Sequence, residues 1–152
     1  SVTDTMTKRE RSERMALVRS KDTKPEKAVR RLIDHLKFKY HLHDPELPGR
    51  PDFVFSRRHK AIFVHGCFWH GHDCRFFRLP STRPEFWQHK IDANRGRDAN
   101  VAKHLSAMDW RRLIVWECAT RGADGEVIEA VAYRVAMWLQ SDKKSGEIRG
   151  PK

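Results

Sequence analysis

Long apolar runs are what this chain most plainly lacks. No stretch approaches the roughly 18 consecutive apolar residues a membrane-crossing helix requires, and the N-terminal residues do not follow the charged-then-apolar pattern of a secretory signal. These absences predict a soluble, cytoplasmic protein with no membrane partner. Negative charge is scarce too, with 20 Asp and Glu against 31 Lys and Arg, a formal net charge of +11. So large an excess works against acidic partners and attracts polyanions, because each phosphate neutralised releases a condensed counterion. Nucleic acid is the expected partner. Cysteine is limited to three residues, an odd number with two of them among histidines. That pattern argues against a disulfide framework and for metal ligation.

What is present suits one domain: 152 residues, 39% of them apolar, can bury an ordinary core unaided. Residues 1–23 read as a flexible basic arm that orders on a ligand, 24–140 as the folded domain and 141–152 as a disordered tail. Thr23 with Glu26 three residues later is a capping-box pattern, Pro25 lies in the first turn, and Val29, Leu32, Ile33 and Leu36 recur at helical spacing. A helix is predicted from about Lys24 to Leu36. Alternation in Phe38, Tyr40 and Leu42 predicts a strand, the segment DPELPGRP a turn, and Asp52 to Val64 a β-hairpin. A helix follows from PSTRPEFW to about Met108, with Trp87, Ile91, Val101 and Leu105 on its inner face. Leu113 to Cys118 reads as a buried strand, and Val127, Val131, Val135 and Trp138 mark a last helix. The order gives an α/β fold, a mixed central sheet flanked by helices.

The densest chemistry lies in HGCFWHGHDC, His65 to Cys74. Zinc in a structural site takes four thiolate or imidazole ligands at tetrahedral corners. Cys67, Cys74 and Cys118 supply three, and His65, His70 and His72 all compete for the fourth place. His72, between the two loop cysteines, is favoured. A closed set of this kind leaves no position for a reacting water, so catalysis needs other groups. Asp52 follows a proline at the start of a strand, a layout that presents a carboxylate to Mg²⁺. The paired strand ends at Val64 and His65, and it lacks the acidic-x-Lys triplet that usually accompanies such an aspartate. The histidines not given to zinc, His65 and His70, are left for proton work, since an unperturbed imidazole suits a base or a phosphate-binding cation near neutral pH. Asp98 and Asn94 fall on the apolar face of their helix, where an inward carboxylate needs a partner such as a histidine. Glu26 is explained by its cap alone. Phe68, Trp69 and Trp87 are placed to wedge between base pairs, which is least costly at a mismatch.

The runs LPGRPDFVF, AIFVHGCFWHGHDC, PSTRPEFWQHKI and LIVWEC resemble the very-short-patch-repair (Vsr) endonucleases, from about Lys8 to Trp138. The resemblance implies nicking 5′ of the thymine in T·G mismatches left by deaminated 5-methylcytosine, and a restriction-endonuclease-like fold for the domain. It assigns catalytic Mg²⁺ to Asp52 and the main-chain carbonyl of Val64, phosphate and metal-water contacts to His65, the general base to His70 assisted by Asp98, and a place near the metal waters to Glu26. It assigns structural Zn²⁺ to Cys67, His72, Cys74 and Cys118, and the DNA wedge to Phe68, Trp69 and Trp87, with Met15 in an arm that embraces the minor groove. Val64 departs from the threonine frequent in the family, and Gly71 and Asp73 interrupt a longer histidine run. The expected partner is double-stranded DNA carrying a T·G mismatch, bound by a monomer in a bacterial cytoplasm, on the nucleoid. Two rival readings are a double-strand endonuclease of the same fold and a non-catalytic zinc module that only binds DNA.

Overall fold

The computed structural model describes residues 23–151. Met15 and the expected N-terminal arm up to residue 22 lie outside the described residues. Helix α1 (Lys24–Leu36) begins where the sequence places it: the Thr23 side chain accepts a hydrogen bond from the Glu26 amide, and Lys37 ends the helix in the left-handed region, φ 60°. Strands β1 (His41–Leu42), β2 (Phe53–Phe55) and β3 (Lys60–His65) follow, then α2 (Pro84–Ala107), β4 (Arg111–Trp116), a short α3 (Glu117–Thr120), α4 (Gly125–Leu139) and β5 (Ser145–Ile148). The sheet order is β1-β2-β3-β4-β5. The first three strands pair antiparallel and the last three parallel, so β3 to β4 and β4 to β5 are helical crossovers.

Side-chain alternation sorts the two faces of the sheet. Phe53, Phe55, Ile62, Leu113 and Val115 meet Val29, Leu32 and Ile33 of α1 and Val131, Val135 and Leu139 of α4. Ala61 and Phe63, one residue out of step with Ile62, turn to the other face and pack on Leu105 and Val101 of α2. His65 continues that second series, so the period of two along β3 aims its imidazole at the α2 side. The fold is thus a mixed α/β sandwich with the sheet in the middle layer.

Three expectations about elements require correction. The segment after residue 140, expected to be disordered, forms the edge strand β5, its Gly146 so close to Leu113 and Trp138 that a Cβ would lie 3.2 Å from each. Composition misses it because an edge strand is held chiefly by main-chain hydrogen bonds, and only Ile148 of β5 is buried. Cys118 does not end a strand: β4 stops at Trp116 and Cys118 sits in α3. Val127 shares helical spacing with the core residues of α4 yet is 42% exposed, since it lies in the capped first turn.

Buried Lys60, the first residue of β3, turns its ammonium onto the C-terminus of α4 and beyond, donating to the carbonyls of Trp138, Leu139 and Ser141 at 3.1, 2.6 and 2.7 Å. Those carbonyls carry the negative end of the helix dipole. Removing the ammonium takes away three charge-assisted hydrogen bonds, although Leu139 keeps a bond from Arg58 and Trp138 keeps bonds from Ser141, so Lys60→Met should lower stability by about 2 kcal/mol. Urea unfolding checks this as a lower midpoint with an unchanged m-value.

Candidate active site

Three side-chain clusters converge where β2, β3 and β4 meet α1 and α2. The first joins Glu26, His43 and Asp52, whose ligand atoms all lie within 4.8 Å of one another. Asp52, just before β2, takes the Val64 amide on Oδ2 at 2.7 Å, which fixes it against the end of β3. His43 is held by its own amide to the Asp52 carbonyl at 3.2 Å, and its Nε2 stands 2.9 and 3.0 Å from the Glu26 carboxylate oxygens. Glu26 is 2% exposed. The Thr23 cap therefore does not exhaust its role, and the helix start doubles as a device for presenting a buried carboxylate. Burial pushes the Asp52 carboxyl well above its ordinary value; the Val64 amide opposes this and nearby Glu26 adds to it.

That upward shift has a stability consequence. The folded chain holds the Asp52 proton to higher pH than the unfolded chain does, so a penalty develops as pH rises above the ordinary carboxylate value. Asp52→Asn keeps an acceptor for the Val64 amide and removes the charge. It should raise the melting temperature of cation-free protein at pH 7. The gain should fade as pH falls towards about 4, where the unfolded carboxyl also holds its proton, and a melting series over pH reads both.

The second cluster is His65, His70 and Asp98. The two imidazoles stack at 3.7 Å with planes 3° apart, and His70 Nδ1 lies 2.5 Å from Asp98 Oδ2. Burial would raise the Asp98 carboxyl, but the hydrogen bond and charge of His70 outweigh it and the net direction is down. Asp98 is therefore a carboxylate and Nδ1 of His70 carries the proton, leaving Nε2 as the basic nitrogen. Burial, reinforced by the neighbouring His70, pushes His65 down to about 3. His65 is neutral throughout the working range, and its buried Nδ1 has no hydrogen-bond partner among the described residues. Asn94 anchors the loop by donating to the Trp69 carbonyl at 2.8 Å. Gly71 is required where it stands: φ is 60° and a Cβ would lie 2.7 Å from Ile91 Cγ2.

The third cluster brings together Cys67, His72, Cys74 and Cys118. His72 Nδ1 lies 3.5 Å from Cys67 Sγ and 3.6 Å from Cys118 Sγ. A tetrahedral zinc with Zn–S of about 2.3 Å and Zn–N of about 2.1 Å places its nitrogen and sulfur ligands about 3.6 Å apart. The donor set thus fits zinc in both chemistry and spacing, and His70, committed to Asp98, is not part of it. Burial pushes the Cys67 thiol far above its ordinary range and Cys118 contributes, so a thiolate there needs a cation beside it. Residues just after β5 brace this centre: the Gly150 amide donates to Cys118 Sγ at 3.4 Å and Arg149 to the Asp73 carbonyl at 2.5 Å.

Trp116 separates the second and third clusters. Its ring stacks on His72 at 3.9 Å, meets His65 edge-on at 5.2 Å and His70 at 6.1 Å, and its Nε1 donates to Glu147 of β5 at 2.8 Å. The Cys67 amide is taken by Glu117 Oε1 at 3.2 Å. Phe68, Trp69 and Trp87 pack on one another with centroids 5.0, 5.6 and 5.9 Å apart, joined by Phe77 and Phe86. Sequence reasoning missed His43, Trp116, Glu117 and Glu147. Only the H-x-H alternation at His41 and His43 hinted at one of them, and nothing local distinguishes its two members.

Glu26 and Asp52 of the first cluster and all three members of the second line one cleft of about 1040 Å³, together with Arg50, Arg97 and Arg112. Carboxylates, a histidine–aspartate pair and guanidinium groups in a single opening of a basic protein suit the class of enzymes that hydrolyse phosphodiesters, the nucleases. The family model for DNA mismatch endonuclease Vsr matches residues 3–76. The chain is 41% identical over 145 residues to DNA mismatch endonuclease Vsr of Escherichia coli (strain K12), covering 95% of this chain and 93% of that one. It is 48% identical over 117 residues to type II nicking enzyme V.XorIIP of Xanthomonas oryzae pv. oryzae, covering 77% and 86%, and 38% identical over 117 residues to type II nicking enzyme V.NmeAIP of Neisseria meningitidis, covering 77% and 84%. The chain belongs to the Vsr family of DNA mismatch endonucleases.

Proposed function

We propose that this protein nicks one strand of double-stranded DNA at a T·G mismatch, on the 5′ side of the thymine, as a Mg²⁺-dependent, zinc-braced monomer with a restriction-endonuclease-like domain. The observation that carries the reading is the His70–Asp98 pair opening into the same cleft as Asp52. Asp98 keeps the proton on Nδ1 of His70, so Nε2 takes a proton from water and delivers a hydroxide to the phosphate. His65, neutral and stacked on His70, fixes that ring's plane and contacts the phosphate without competing for the proton. Asp52, with the Val64 carbonyl beside it and Glu26 behind, would hold Mg²⁺. When bound, that ion supplies charge neutralisation for the pentacovalent phosphate and the leaving 3′ oxygen. Valine at position 64 contributes its main chain alone, which is what the reading asks of it.

Cys67, His72, Cys74 and Cys118 would hold Zn²⁺ in a bracing role, tying the histidine loop to α3. The aromatic group of Phe68, Trp69 and Trp87 stands on that braced loop and on α2, where a rigid wedge can unstack a weakened base step. The name Vsr and the nicking relatives support both the mismatch and the single-strand outcome. The test is Mg²⁺-dependent cleavage of matched and T·G duplexes differing in flanking bases. The expected product is one nick, on the thymine strand of mismatched duplexes. Double-strand cutting of matched DNA would favour a restriction-type activity, and binding with no cutting would reduce the protein to a DNA-binding module.

A further inference from the structure

The Glu26–His43–Asp52 cluster differs from an all-oxygen magnesium pocket in one respect: it contains an imidazole. Its three members come from separate places, the first turn of α1, the residue after β1 and the residue before β2, yet their ligand atoms all fall within 4.8 Å. His43 adopts φ 49°, in the left-handed region that non-glycine residues enter rarely, and its amide is tied to the Asp52 carbonyl. The backbone at His43 is thus constrained in the conformation that sends Nε2 to Glu26 and to within 4.0 Å of Asp52 Oδ1. Both carboxylates are shielded from solvent, Glu26 almost completely. Closely spaced, shielded carboxylates attract a cation, and the donor types decide which cation binds best.

We infer that Glu26, His43 and Asp52 form a preformed divalent-cation site with a nitrogen donor, which favours a transition ion such as Mn²⁺ over Mg²⁺ and binds it before DNA arrives. The inference deepens the proposed function, resting on the reading that Asp52 holds the catalytic ion. Mg²⁺ demands near-ideal octahedral oxygen ligation and surrenders water reluctantly, whereas Mn²⁺, also an oxygen-binding ion, is larger and tolerates one imidazole beside two carboxylates. The competing account is that His43 only orients Glu26 by a hydrogen bond. His43→Gln separates the two, because glutamine retains a donor for Glu26 but offers no ring nitrogen to a metal.

The experiment uses the zinc-loaded, DNA-free protein titrated with Mn²⁺ and followed by electron paramagnetic resonance, with Mg²⁺ as competitor. The expected result is one Mn²⁺ per chain, bound at least ~10-fold more tightly than Mg²⁺. Spin-echo modulation should show coupling to an imidazole nitrogen. In His43→Gln the coupling should vanish and the preference should shrink to about twofold, while Asp52→Asn should lose the site. Failure to bind Mn²⁺ without DNA, or nitrogen coupling that survives in His43→Gln, would overturn the inference. Nicking by Asp52→Asn at the wild-type rate would instead overturn the catalytic reading and leave the binding result standing.

Discussion

Asp52→Ala is expected to abolish nicking, with a loss of at least ~10³-fold in rate, because on the proposed reading it removes the carboxylate that would hold the charge-neutralising ion against the scissile phosphate. Binding to a T·G duplex and zinc content should both survive. The Phe68, Trp69 and Trp87 group and the Cys67–His72–Cys74–Cys118 cluster are built from other residues, and Asp52 is joined to β3 through the Val64 amide. Single-turnover cleavage, a binding titration and zinc analysis on one preparation make the comparison. Nicking at the wild-type rate would remove Asp52 from the chemistry. Loss of zinc or of folding in the same variant would mean that its contact with Val64 is chiefly structural.

Cys118→Ser is expected to lose zinc and to melt well below the wild type, by more than ~10 °C, since structural zinc contributes roughly 10–16 kcal/mol of apparent binding energy in small folded peptides. The reason lies in the connectivity. Cys118 belongs to α3, while its three partners lie in the loop after β3, so an ion held by all four would tie that loop to the segment following the neighbouring strand β4. That loop carries His70, Phe68 and Trp69, and His72 stacks on the same Trp116 that flanks His65 and His70. Loosening the ligands should therefore also abolish nicking, although Cys118 touches no reacting atom. Zinc analysis and thermal melting read the outcome. A variant that keeps full zinc and the wild-type melting temperature would show that Cys118 is not a ligand.

Much of the fold was legible because its signals are local. Thr23 and Glu26 announce the start of α1 by a bond between neighbours. The alternation through Ala61, Ile62, Phe63 and Val64 is written in the chain's own period of two, and α2 begins at the proline the sequence offers. β5 was illegible because main-chain pairing with β4 leaves little mark on composition. The same holds for Glu147, Arg149 and Gly150, whose contacts with Trp116, Asp73 and Cys118 span 31, 76 and 32 residues.

The sequence by itself determined the inventory: a basic α/β domain, three thiols with a matching histidine, two further histidines and a strand-start aspartate, since residue types and short spacings suffice for these. Tertiary structure decided their assignment. It gave His72 to the thiols and His70 to Asp98, set His65 in its stack, and drew His43 and Glu26 around Asp52. Which imidazole meets which partner depends on a few ångströms between distant segments, and only the packing of α1 and α2 on opposite faces of the sheet fixes those distances.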